Sequence, residues 1–122
     1  MKLDTDLIRE ILIWCEDKLP DKGRSYQASE IVINDYTSDE ILYHVALLVD
    51  GGYLKVIDAS AGGYEDYIIE RLTNGGAQFL EIIKSDTGWK KFKAKAKEIG
   101  IPAIPVMLPI IVDLIRKAFG LP

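Results

Sequence analysis

The chain has 122 residues, 48% of them hydrophobic, with a formal net charge of −4 and a single cysteine. That is long enough for one globular core without disulfides or metals, and the negative balance argues against a general nucleic-acid coat. One cysteine excludes an intramolecular disulfide. It suits a reducing compartment. The opening MKLDTD has acids where a signal peptide needs basic residues, and no window reaches the ~18 uninterrupted apolar residues of a membrane span. A cytoplasmic protein with no membrane segment is expected.

Asp4 to Leu19 predicts the first helix. Asp4 is its N-cap, Asp6 favours the first turn, and Ile8, Ile11, Leu12 and Cys15 recur at helical spacing, with Leu7 and Trp14 widening the stripe. Pro20 ends it. Cys15 falls on the buried face and reads as a small core residue rather than a nucleophile. After a polar turn, Ser25 to Asn34 is ambiguous. The β-branched Ile31-Val32-Ile33 favours a strand able to pair with a later hairpin, against a short second helix.

Asp35 to Leu54 predicts a second amphipathic helix. Ile41, Val45 and Leu48 fall at i, i+4 and i+7, flanked by Leu42 and Val49. Ser38 or Thr37 can cap it, Asp39 and Glu40 suit the positive end of its dipole, and Gly51-Gly52 can supply the left-handed stop. Glu40, Tyr43, His44 and Leu47 are left as the outward face. Two strands follow, Tyr53 to Asp58 and Tyr64 to Leu72, joined through the Gly62-Gly63 pair, with Leu54, Val56, Tyr67 and Ile69 as the inward set. Helix, strand, glycine turn and strand in this order are the back half of a winged helix.

In a winged helix that reads DNA, the exposed side of that helix enters the major groove, where Arg, Lys, Asn and Gln do most of the reading. The expected face has none of these. From Asp35 to Glu70 there are eight acidic residues against one basic, Lys55, and the wing carries Glu65 and Asp66. Such a surface repels a phosphate backbone and suits a protein partner anchored on Tyr43, His44 and Leu47.

Thr73 then caps a helix with Ala77, Phe79, Leu80 and Ile83 behind it, and a break is expected from Ser85 to Gly88. From Lys84 to Lys97 there are six lysines (Lys84, Lys90, Lys91, Lys93, Lys95 and Lys97) and one acid, Asp86. They read either as a solvated helix face over Trp89 and Phe92 or as a patch for phosphate or an acidic partner. In the tail, Pro109 can open a helix running to Phe119. It is apolar nearly all round. It must thread the core or form an oligomer contact through Ile110, Ile111, Leu114, Ile115 and Phe119, and a homodimer is the favoured reading.

Traces of catalysis are few. His44 is the only histidine, so a site built from several histidines is excluded, and there is neither a P-loop nor a dinucleotide Gly-x-Gly-x-x-Gly. No catalytic, cofactor-binding or metal-binding residues are expected, and the chain is read as a non-enzyme without cofactors.

The segments MKLDTDLIREIL, ILYHVALLVDGGYL and RLTNGGAQFLEIIKSDTGWKKFK together resemble a family of small bacterial and phage proteins known as a domain of unknown function. The resemblance runs from Met1 to about Lys97. It implies a winged-helix-like fold and frequent carriage on phages or prophages, with no catalytic residues to carry over. The expectation is an α+β protein with a winged-helix-like core over residues 1–84 (helix, short strand, helix, β-hairpin) and a C-terminal helical extension over 85–122. Its expected role is protein binding, as an antitoxin-like or inhibitor-like accessory protein. A dimeric DNA-binding regulator of winged-helix type is the alternative.

Overall fold

The computed structural model describes residues 2–19, 24–99 and 117. In chain order they form α1 (Thr5–Lys18), β1 (Tyr26–Gln27), a 3₁₀ turn (Ala28–Glu30), α2 (Ser38–Asp50), β2 (Leu54–Asp58), β3 (Tyr67–Leu72), α3 (Asn74–Ile83) and α4 (Asp86–Ile99). The described residues fold as α+β, with four helices and a three-stranded antiparallel sheet in the order β1-β3-β2. The expected tail contact at Ile110, Ile111, Leu114, Ile115 and Phe119 lies outside the described residues.

Local chemistry explains the helix starts. Asp4 caps α1 by accepting from the N–H groups of Asp6 and Leu7. Of the two candidate caps for α2, Thr37 takes the position, and Glu40 reaches back to its N–H in a reciprocal capping box. Thr73 caps α3 by accepting from Gly76 N–H. At the end of α2 only Gly52 takes left-handed angles, because Gly51 is still helical.

The Ser25–Asn34 segment departs from expectation. A strand does pair with the hairpin, Tyr26 opposite Ile69 and Gln27 opposite Ile68, but it is two residues long and precedes the β-branched run. A second capping box, between Gln27 and Glu30, turns the chain into 3₁₀ geometry straight after it. Ile31 to Ile33 is therefore outside the sheet. Its side chains alternate, with Ile31 buried, Val32 81% exposed and Ile33 half-buried.

The hairpin turns at Gly62 (φ 60°) and Gly63 (φ 85°), between Ala61 and Tyr64, which exchange backbone hydrogen bonds. Two successive positive φ angles are what a tight two-residue turn demands and what a side chain resists. The ladder shifts register between Lys55 and Val56, so Leu54 faces Leu72 while Val56 faces Ile69. Leu54 and Ile69 are buried and Val56 and Tyr67 half-buried, as the inward set requires.

One core joins all four helices to the sheet. Leu7, Ile8, Ile11, Leu12 and Cys15 of α1 meet Ile41, Val45 and Leu48 of α2, Leu54 and Ile69 of the sheet, Phe79, Leu80, Ile82 and Ile83 of α3, and Trp89 and Phe92 of α4. Phe92 lies 5.2 Å from the Phe79 ring and stacks on Trp89 at 5.5 Å, so α4 belongs to the same packed body. The break before α4 is only two residues, shorter than expected. Helix resumes at Asp86 because Ser85 Oγ accepts from Gly88 N–H, and Gly88 lets the backbones close up, since a Cβ there would sit 1.8 Å from the Ile82 carbonyl oxygen. Arg9 of α1 locks this corner. Its Nε donates to the Ile83 carbonyl at 3.0 Å and its Nη2 to that of Lys84 at 2.8 Å, while the guanidinium lies 5.4 Å over the Trp89 ring.

Candidate interaction surfaces

With about 100° between successive helical residues, the buried Ile41, His44, Val45 and Leu48 define one side of α2. Asp39, Tyr43, Ala46 and Asp50 lie opposite, and Glu40 and Leu47 fall at an edge, both half-buried. The expected face Glu40-Tyr43-His44-Leu47 is thus rotated in one respect. His44 points inward and is 1% exposed. Its Nδ1 lies 2.7 Å from the Glu40 carbonyl and its Nε2 accepts from Asp4 N–H at 2.8 Å, a pattern that a neutral ring protonated on Nδ1 satisfies completely. The histidine therefore ties the N-terminus of α1 to α2 and is no part of the outward surface. Its position, three residues after Ile41 and four before Leu48, was the signal for burial.

Around this helix the surface remains acidic. The β2–β3 hairpin presents Tyr64, 82% exposed, and Ile57, 51% exposed, among Asp58, Glu65 and Asp66. Asp66 is held rather than free, taking Ser29 N–H and Ser29 Oγ on its two oxygens and so fixing the base of the hairpin to the 3₁₀ turn. The Ser60 hydrogen bonds lower the Asp58 pKa. Burial, followed by the charges of Glu65, Asp58 and Asp50, raises that of Tyr67.

The lysines do not form one continuous patch. Lys90, Lys93 and Lys97 share one stripe of α4, while Lys91 and Lys95 lie round the helix from it. Two of the six expected members are already engaged by α1. Lys84 donates to Glu16 at 2.6 Å, a bond that raises the lysine pKa, and Lys93 lies 3.5 Å from Asp6 and over the Trp89 ring. Lys95 pairs with Glu98.

A fourth surface was missed by the sequence reading. Asp6, Glu10, Ile13, Trp14 and Asp17 run down the outer side of α1 and, with Glu16 and the segment Val32 to Tyr36, line an open groove of about 840 Å³. Its described lining contains five carboxylates (Asp6, Glu10, Glu16, Asp17 and Asp35) and no lysine or arginine. Trp14, read as part of the core stripe, is half-buried at this groove, its ring edge-on to Tyr26 at 5.2 Å. The i, i+4, i+7, i+8, i+11 spacing of the α1 residues was legible. The loop that walls them in was not.

Cys15 is buried and its thiol is pushed up to about 12 by burial, so it is a core residue with no nucleophilic character at neutral pH. Among the described residues the buried Tyr53 hydroxyl has no hydrogen-bond partner. Among the described residues no group of three His, Cys, Asp or Glu side chains is placed to hold a metal, and no helix is long and apolar enough to cross a membrane.

These features define a small α+β protein whose described surfaces are mainly carboxylate-rimmed aromatic and aliphatic side chains. The chain belongs to the family described as hypothetical protein (DUF2513), which it matches over residues 2–102. It is also 28% identical over 117 residues to an uncharacterized protein of Haemophilus influenzae, a match spanning 93% of this chain and 97% of that protein. No solved structure matches the chain.

Proposed function

We propose that this protein is a winged-helix-type module that works by binding another protein in the cytoplasm, as an inhibitor-like or antitoxin-like accessory factor, and that it catalyses no reaction. The order helix, strand, helical turn, helix and hairpin, with the first strand paired to the last, supports the winged-helix assignment. In that arrangement α2 occupies the place of the DNA-reading helix. The observation that carries the reading is its outward face: Asp39, Tyr43, Ala46 and Asp50, with no Arg, Lys, Asn or Gln and two carboxylates that repel phosphate. Exposed Tyr64 and Ile57 on the neighbouring wing extend an aromatic and aliphatic surface within the same acidic rim. The fold by itself decides nothing, because winged helices serve both purposes.

Fluorescence anisotropy of labelled mixed-sequence duplex DNA, at low and then moderate salt, tests the reading from the opposite side. No binding even at low salt is expected, where non-specific electrostatic association is strongest. Binding that fades with salt and is lost when Lys90, Lys93 and Lys97 become glutamine would replace the proposal with a DNA-binding regulator. Once a protein partner is in hand, the pair Tyr43→Ala and Tyr64→Ala should weaken its capture while costing about 1 kcal/mol or less in stability. An unchanged affinity would place the contact elsewhere.

A further inference from the structure

The groove on α1 is built differently from the α2 face and shares no residue with it. Part of its lining is an apolar floor. Ile13 and Trp14 are half-buried on the helix, Ile33 is half-buried on the loop, and Val32 stands 81% exposed beside them. Val32 is not on a loose loop. Ile31 is buried beneath it, Tyr36 N–H donates to the Ile33 carbonyl at 3.3 Å, and Tyr36 Oη donates to Asp4 Oδ2 at 3.0 Å.

The turn closed by that Tyr36 hydrogen bond places Asp35 at φ +73°, the single non-glycine residue with positive φ among those described. Glycine would take this conformation without strain, whereas aspartate takes it at some cost. The carboxylate so placed makes no ion pair or hydrogen bond among the described residues, and neither does Glu10 across the groove. Asp6, Glu16 and Asp17, by contrast, have lysine partners. The Tyr36 phenol is pushed up to about 12, first by burial, then by its hydrogen bond to Asp4, then by the charges of Asp4, Asp6 and Glu10. Exposed apolar side chains, two carboxylates unpaired among the described residues and an aspartate at positive φ meet at one place.

We propose that this groove receives a basic peptide segment of a protein partner, seating an aliphatic or aromatic side chain against Trp14 and Val32 and a neighbouring lysine or arginine between Glu10 and Asp35. Charge complementarity selects this occupant, because an acidic segment would meet the carboxylates of Glu10 and Asp35, which no described lysine or arginine pairs, and no cation in the described lining. The apolar floor supplies burial, and the carboxylate rim supplies orientation.

The test is a titration of the full-length ¹⁵N-labelled protein, followed by NMR, with two sets of amidated heptapeptides. In one, lysine or arginine alternates with leucine or tryptophan. In the other, glutamate replaces each basic residue. The basic set should shift Glu10, Ile13, the Trp14 indole N–H and Val32 to Tyr36, and the glutamate set should not. Glu10→Gln and Asp35→Asn should each weaken binding about tenfold, as expected for losing one well-placed charge contact of about 1.4 kcal/mol. Asp35→Gly should weaken it equally while melting no lower than wild type, which separates the carboxylate's role from folding. Shifts confined to the α2 face or wing, equal binding of the glutamate set, or no shift with either set would overturn the proposal. So would groove signals that move with protein concentration alone, marking a second copy of the chain. Groove signals in the free protein that move when Arg116 and Lys117 become glutamine would also overturn it, since they would mark this chain's own C-terminal segment.

Discussion

The outward side of α2 and the groove on α1 carry similar residues, carboxylates around aromatic side chains, yet they offer a partner different things. On α2 the side chains project from a convex helix, and Tyr43 is steadied chiefly by packing edge-on against His44 at 5.3 Å. On α1 the helix is walled by the Val32–Tyr36 segment, so the same chemistry lines a concavity. A convex acidic face repels phosphate and leaves a protein partner to supply the shape. A concave one also limits what fits. Composition is therefore a weak guide to which surface is a site, and the loop that converts one into the other matters more than the helix it flanks.

The comparison requires α1 and α4 to be one packed body, and the largest effect tests that. Phe92→Ala should cost about 3–5 kcal/mol in urea unfolding, as for other buried aromatic residues. A loss below about 1 kcal/mol would make the lysine helix a loosely held arm. Next comes the division within α2. His44→Ala removes a buried ring and orphans the Asp4 N–H, and should destabilise by about 2–4 kcal/mol. Tyr43→Ala beside it should cost about 1 kcal/mol or less. Equal costs would mean that the face was oriented wrongly. Arg9→Met retains the packing stem but loses both bonds to the α3 terminus, and should cost about 1–3 kcal/mol.

The pH profile is a smaller and more specific check. Cys15 has a folded pKa of about 12 against 9.0 unexposed to the fold, and Tyr36 and Tyr53 are raised to about 12 from 10.0. Each raised value means that the folded chain holds a proton which the unfolded chain releases. For Cys15 the resulting stability is complete below about pH 9 and is lost as pH rises towards 12, by about 1.4 kcal/mol per pH unit; the tyrosines, which face more solvent, lose theirs above about pH 10 and by less. Unfolding by urea at pH 8 and pH 10 should show the loss, with a shallower slope in Cys15→Ala. The smallest effect belongs to Asp35→Gly, where thermal stability should be unchanged or higher by about 0.5 kcal/mol. A clear drop in melting temperature would show that the aspartate serves the turn, and the contrast between the two acidic surfaces would weaken.

Much of the architecture could be read in the chain. Asp4 and Thr73 as caps, the Gly62-Gly63 turn, the inward set of the hairpin and the burial of Trp89 and Phe92 were all local signals, because capping, turn angles and periodicity depend on neighbours a few residues away. The reading failed at Ile31-Val32-Ile33 and at His44. Strand propensity at Ile31 was outweighed by a capping box formed just before it. His44 looked like a surface residue because histidine is polar, but both its ring nitrogens found backbone partners, one of them 40 positions away.

The sequence by itself determined where the main helices and strands begin and turn, that the surface from Asp35 to Glu70 is acidic, and that the lysines cluster late in the chain. Tertiary structure alone decided which lysines are taken up by α1, that Arg9 closes the end of α3, and that a loop far from Glu10 in sequence sets Val32 and Asp35 opposite it. The physical reason is range. Helix and turn signals act over one or two turns of chain, whereas ion pairing, backbone capping across 74 residues and the shape of a groove depend on packing that brings distant segments together.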